Sequence, residues 1–80
     1  MTNLTTEVLE SARHVLNRAD LDDPDADLSE FGMDSLLTVA FMVDLETRFK
    51  VRFPAELVAA STFRTPRAAS QALQSLQSAS

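Results

Sequence analysis

From about Ser35 to Lys50 the chain reads SLLTVAFMVDLETRFK, with neither glycine nor proline to interrupt it. Helical spacing puts Thr38, Phe41, Met42, Leu45 and Phe49 on one stripe, enough to seat one face of a helix in a core. Leu36, Leu37, Val39, Ala40 and Val43 are then left over. In a chain of 80 residues a helix lies at the surface of a small bundle and cannot bury its whole circumference. The leftover residues therefore mark a contact surface for another protein or a ligand, unless the acidic segment before the helix folds over them. Both readings stay open until the start of the helix is considered.

That start is Gly32-Met33-Asp34-Ser35-Leu36. Gly32 is the only glycine in the chain, and glycine turns tightly without a side-chain penalty. Asp34 or Ser35 can then cap the first helical turn. Ser35 is expected to stand rigid and exposed at a helix N-terminus, where a hydroxyl is well placed to react or to be modified.

The rest of the chain supplies a single small all-α domain spanning residues 1–80. Leu4, Val8, Ala12, Val15, Leu16 and Ala19 fall at helical spacing and predict an amphipathic first helix from about Leu4 to Ala19. His14, the only histidine, lies beside that stripe and is given no role. Asp20 to Asp34 reads as a long loop, broken by Pro24 and anchored by Leu21, Leu28 and Phe31. Pro54 is expected to stop the second helix, with Val51 and Phe53 extended before it and pointing inward. Ala55 to Ala60 suffices for one short helix. Thr65-Pro66 starts the last one, a capping hydroxyl followed by proline at the first helical position. That helix runs from about Pro66 to Leu76, buries Ala69, Ala72, Leu73 and Leu76, and leaves a polar tail from Gln77 expected to fray. The expected fold is three main helices plus a short one, a four-helix arrangement with its long loop between the first two.

Charge and composition exclude several function classes. The net charge of −5 is uneven: residues 1–34 hold nine acidic and two basic side chains, residues 35–80 three acidic and five basic. An acidic front half argues against nucleic-acid binding, which needs clustered lysine and arginine. With no cysteine, disulfides and thiolate metal sites are excluded and a reducing cytoplasm fits. No run approaches the roughly 20 apolar residues of a membrane span, and no signal pattern opens the chain. The expectation is a soluble, monomeric, cytoplasmic domain. Asp23, Asp25, Asp27, Ser29 and Asp34 do echo the spacing of a calcium loop. Leu28, however, stands where such a loop needs glycine, and Asp34 is too short for the usual bidentate closing ligand, so no metal is assigned.

Ser35 lacks the surroundings of a catalytic nucleophile. The one imidazole is in another helix, the motif is not the hydrolase elbow, and so small a bundle leaves little room for a substrate cleft. There is no glycine-rich phosphate loop. A covalent attachment site needs less: an exposed hydroxyl on a rigid mount, a helix N-terminus that tolerates a phosphate, and a docking surface beside it.

The run FGMDSLLTVAFMVDLETRFKVRFPAELV, residues 31–58, resembles the acyl carrier protein and peptidyl carrier protein family. It has the family's Gly-x-Asp-Ser-Leu signature, the apolar second helix, Leu-Glu-x-x-Phe at Leu45–Phe49, and apolar-Pro at Phe53-Pro54. The resemblance implies a non-catalytic carrier whose Ser35 is esterified with 4'-phosphopantetheine from coenzyme A by a phosphopantetheinyl transferase. The arm holds acyl or aminoacyl groups as thioesters and offers them to acyltransferase, ligase or synthase partners. It also implies docking on the second helix, through Asp34, Leu36, Leu37, Val39, Ala40, Val43 and Glu46. Leu37 and Ala40 stand where fatty-acid carriers commonly have acids, which turns the expectation toward a discrete carrier of polyketide or related natural-product assembly. Aspartate before the serine leans toward acyl carriers, and Ser61–Pro66 leans toward peptidyl carriers.

Overall fold

The structure is a computed structural model that describes residues 3–59 and 61–78. Three α-helices carry it: α1 (Leu4–Leu16), α2 (Ser35–Phe49) and α3 (Pro66–Ser78). Single turns of 3-10 helix lie at Leu28–Phe31 and Ala55–Leu57, and no strand occurs among the described residues. The helix α1 packs against both α2 and α3.

Local chemistry sets each helix end. Asn3 caps α1 by accepting from the Thr5 N–H, and Asn17 closes it in the left-handed conformation with its N–H on the Arg13 and His14 carbonyls. The helix thus stops three residues before Ala19, which lies exposed outside it; asparagine tolerates the left-handed region better than most residues. Lys50 closes α2 in the same way, at φ 54°. The expectation that Pro54 ends this helix is corrected: the turn comes at Lys50, and Pro54 leads into the 3-10 turn at Ala55–Leu57. That turn replaces the short helix expected over 55–60, of which Ala60 lies outside the described residues. At α3, Thr65 Oγ1 accepts from the Ala68 N–H at 3.0 Å and Pro66 takes the first helical position, as expected. This helix runs on through Gln77 and Ser78 rather than fraying there; Ala79 and Ser80 lie outside the described residues.

The core joins Val8, Leu9 and Ala12 of α1, Phe41 and Leu45 of α2, and Ala69 and Leu73 of α3. Loop residues complete it. Leu21 and Leu28 are fully buried, whereas Phe31 is half-buried under the Arg18 guanidinium, 5.1 Å from its ring centroid. Phe63 meets Phe41 and Phe53 edge-on, at centroid distances of 6.0 and 5.2 Å. Phe53 turns inward as expected and Val51 is half-buried.

The long loop is tied to the entry of α3. The Leu28 N–H donates to the Arg64 carbonyl and the Arg67 N–H to the Pro24 carbonyl, both at 2.8 Å. Arg67 also pairs with Asp25, and Arg64 with Asp27. Asp25 and Asp27 are therefore spent on the loop's own architecture. Asp27 caps the 3-10 turn at Leu28–Phe31, and Asp34 caps α2. Among the described residues no group of three or more acidic or histidine side chains is placed to hold a metal.

Candidate functional site

Gly32 ends the 3-10 turn at φ 95°, in the left-handed region, with its N–H directed at the Leu28 and Ser29 carbonyls. A Cβ built there would meet nothing within 4 Å, so the site needs glycine for its backbone angle and not for space. The turn delivers Asp34 in extended geometry, φ −121° and ψ −173°, as the N-cap of α2. Its Oδ1 accepts from the Leu37 N–H at 2.8 Å, and its carbonyl from the Thr38 N–H and hydroxyl. Asp34, and not Ser35, is the cap.

Ser35 is thereby left free. It occupies the first helical position, is exposed, and its hydroxyl has no hydrogen-bond partner among the described residues. The first N–H groups of a helix lack intrahelical acceptors and carry partial positive charge; here those of Ser35 and Leu36 have no partner among the described residues.

Behind Ser35 opens a groove of about 690 Å³. Its apolar wall is Met33, Val39, Met42, Val58 and Phe63, and Asp27 and Arg64 also line it. The expectation that so small a bundle leaves little room for a cleft is corrected by this groove. It was illegible because its walls come from the loop before α2, from α2, and from the stretch 58–64, three segments far apart in the chain. Met42, expected in the core stripe, is half-buried against it, and so is Thr38.

The leftover apolar residues of α2 do face solvent. Leu36 is 78 % exposed, Val39 51 % and Val43 49 %. Ala40 is exposed as well, and Leu37 is half-buried. The acidic loop does not fold over this face; it is held against α3 instead.

The acids of α2 have intramolecular tasks. Glu46 turns its Oε2 to accept from the Phe53 N–H at 2.9 Å, which folds the stretch after α2 back onto the helix. Asp44 accepts from the Arg48 Nε at 2.7 Å and from the buried Ser11 hydroxyl of α1. Partial burial is the largest influence on Asp44 and opposes its ionisation, but the Ser11 and Arg48 hydrogen bonds and the nearby positive charges outweigh it. The carboxyl lies below its ordinary range. Sequence reading missed this contact, for Ser11 in isolation looks like any solvent-facing serine.

A small helical domain with an unpaired hydroxyl on the first turn of an apolar helix, beside a groove, has what a covalent attachment site needs. The family described as the phosphopantetheine attachment site matches this sequence over residues 6–73, and the chain belongs to that family. Comparison of the chain with curated proteins finds no match. The family assigns 4'-phosphopantetheine as the covalently held group, and the residues present fit it. A free, exposed hydroxyl offers an oxygen to esterify, and unpaired N–H groups of the same turn suit a phosphate next to it. When attached, the group supplies a thiol on a long arm that holds an acyl chain as a thioester. Domains of this family work with transferases and biosynthetic enzymes. No helix among the described residues is long and apolar enough to cross a membrane.

Proposed function

We propose that Ser35 is the residue that bears the phosphopantetheine arm, and that the domain presents acyl intermediates to separate enzymes without catalysing a reaction itself. The observation that carries this reading is the pairing pattern at the α2 entry. Asp34 satisfies the cap, so the Ser35 hydroxyl keeps no structural partner and points to solvent. Loading forms a bond from Ser35 Oγ to the phosphorus of phosphopantetheine and breaks the one to the nucleotide part of coenzyme A. The nucleotide leaves, and the hydroxyl proton passes to the transferase or to water.

The docking surface in this reading is the exposed side of α2: Asp34, Leu36, Val39, Ala40 and Val43, with Leu37 at its edge. Glu46, expected among the docking residues, has its carboxylate turned to the chain's own backbone, so apolar contact is the main source of partner affinity. Salt weakens such contacts little. That balance supports an acyl carrier of polyketide or related natural-product assembly in the bacterial cytoplasm, acting as a monomer. An aminoacyl carrier of peptide assembly is the second reading, favoured by the Ser61–Pro66 segment.

The test is intact mass after incubation with coenzyme A and a broad-specificity phosphopantetheinyl transferase. The wild-type chain gains one phosphopantetheine and Ser35→Ala gains none. A chain whose mass never changes, or a gain that persists in Ser35→Ala, removes the proposal.

A further inference from the structure

The exposed strip of α2 does not end in neutral surface. Along the second half of the helix, from about 12 to about 22 Å beyond Ser35 at 1.5 Å per residue, lies a second cleft of about 450 Å³. It is lined by Val43, Glu46, Thr47, Lys50, Val51 and Arg52. Val43 belongs to both the cleft and the apolar strip, so the two surfaces are continuous.

The charges of this end are one-sided. Lys50 and Arg52 are exposed, and neither forms an ion pair among the described residues. The other cation of the region, Arg48, is held by Asp44. Among the described residues the only acid lining the cleft is Glu46, whose carboxylate accepts from the Phe53 backbone. A lysine near a helix C-terminus suits the helix dipole whatever else it does. That does not explain its place here. Lys50 sits at φ 54°, where glycine or asparagine would hold the backbone at less cost, and Arg52 lies beyond the helix altogether. Two unpaired cations thus line a cleft whose apolar part is Val43 and Val51, in a protein whose net charge is −5.

We infer that the enzymes docking on α2 meet it with an apolar ridge flanked by carboxylates, the ridge covering Val39 and Val43 and the carboxylates facing Lys50 and Arg52. The inference rests on the proposed function for the identity of the occupant, a partner protein. The chemistry of that occupant comes from charge complementarity with the cleft. Steering of such a partner is by positive charge at this end, although the molecule as a whole is negative.

The test uses two synthetic amphipathic helical peptides of equal length and leucine content, one bearing glutamate and the other lysine on its polar face. Each is titrated into the isotopically labelled full chain while backbone amide shifts are followed. The glutamate peptide is expected to move the amides of Val39, Val43, Thr47 and Val51. Its affinity should fall roughly five-fold in Lys50→Glu/Arg52→Glu, the size that two exposed ion pairs supply, and the lysine peptide should leave those amides in place. Lys50→Gly/Arg52→Gln removes the two charges without reversing them and puts a residue that suits the left-handed position at 50, so a folding defect cannot imitate the result. Equal binding of the two peptides, or binding indifferent to these substitutions, overturns the inference. So does concentration-dependent self-association of the chain that the substitutions abolish, which would make a second copy the occupant. Binding to phosphatidylglycerol vesicles through the same residues overturns it as well, in favour of a lipid surface. Loading at Ser35 is read separately by mass. A chain that loads but ignores the glutamate peptide loses only this inference, and one that never loads loses the proposed function.

Discussion

The helices α1 and α3 differ from α2 in what they show to water. On α1, Val8, Leu9 and Ala12 go inward while Thr6, Glu10 and His14 face out; on α3, Ala69 and Leu73 go inward while Arg67, Gln71 and Gln74 face out. Each is apolar on one side only, as packing alone requires. On α2, Phe41 and Leu45 go inward, yet Leu36, Val39 and Val43 stand about half or more in solvent. Covering such side chains would recover about 25 cal/mol per Å² of apolar surface, and nothing among the described residues covers them. The fold therefore explains α1 and α3 completely and α2 only by half. The remaining half of α2 is explained by what the domain meets.

Substitutions on the two sides of α2 sharpen this contrast most. Phe41→Ala should cost about 3–5 kcal/mol of stability, the usual result of emptying a buried aromatic position. Val43→Asp should change stability by less than about 0.5 kcal/mol while abolishing partner docking, and charge reversal at Glu46 should weaken docking less. Urea unfolding and a binding assay on the same variants measure both; comparable losses of stability for Phe41→Ala and Val43→Asp would erase the distinction between the faces.

A smaller effect is expected where α2 touches α1. Asp44→Ala removes the acceptor of the buried Ser11 hydroxyl, a loss of about 1–3 kcal/mol. Because the Asp44 carboxyl is held below its ordinary value in the folded chain, its contribution is complete above the unfolded carboxylate range. It is lost as pH falls through the lower folded value. Thermal melts of the wild type and Asp44→Asn between neutral and acid pH should converge on the acid side. A constant gap across that range would show that Asp44 does not act through its charge.

The smallest effect tests the mount of Ser35. Asp34→Ala should cost about 1 kcal/mol through loss of the cap, and Asp34→Asn much less. If Ser35 takes up the vacated cap in Asp34→Ala, loading slows as well, because the hydroxyl is no longer free. Loading rates alongside melts separate the two consequences.

Much of this was legible from neighbouring residues. Gly32 as the turn, Thr65-Pro66 as the start of α3, and Leu21 and Leu28 as core anchors follow from backbone angle, capping and apolarity, which act over a few residues. The end of α1 was misplaced because Asn17 closes it in the left-handed conformation; the end of α2 fell where expected, but Lys50 and not Pro54 sets it, and a lysine carries little signal for that. The stretch after Pro54 has apolar residues enough for a helix. It makes only one 3-10 turn, because Glu46 and Phe63 hold Phe53 in place on one side of it.

The sequence by itself determined an all-helical domain, the entry to α2, an exposed serine there, and an apolar excess that one core could not absorb. All of these rest on short-range forces: helical periodicity, capping and the freedom of a single glycine. Only the tertiary structure decided that the acidic loop is clamped to α3 and leaves α2 bare, that a groove opens behind Ser35, and that Asp44 and Glu46 turn toward their own chain. Each of those outcomes depends on contacts between segments distant in sequence, and no local pattern records which of several partners a carboxylate or a loop will choose.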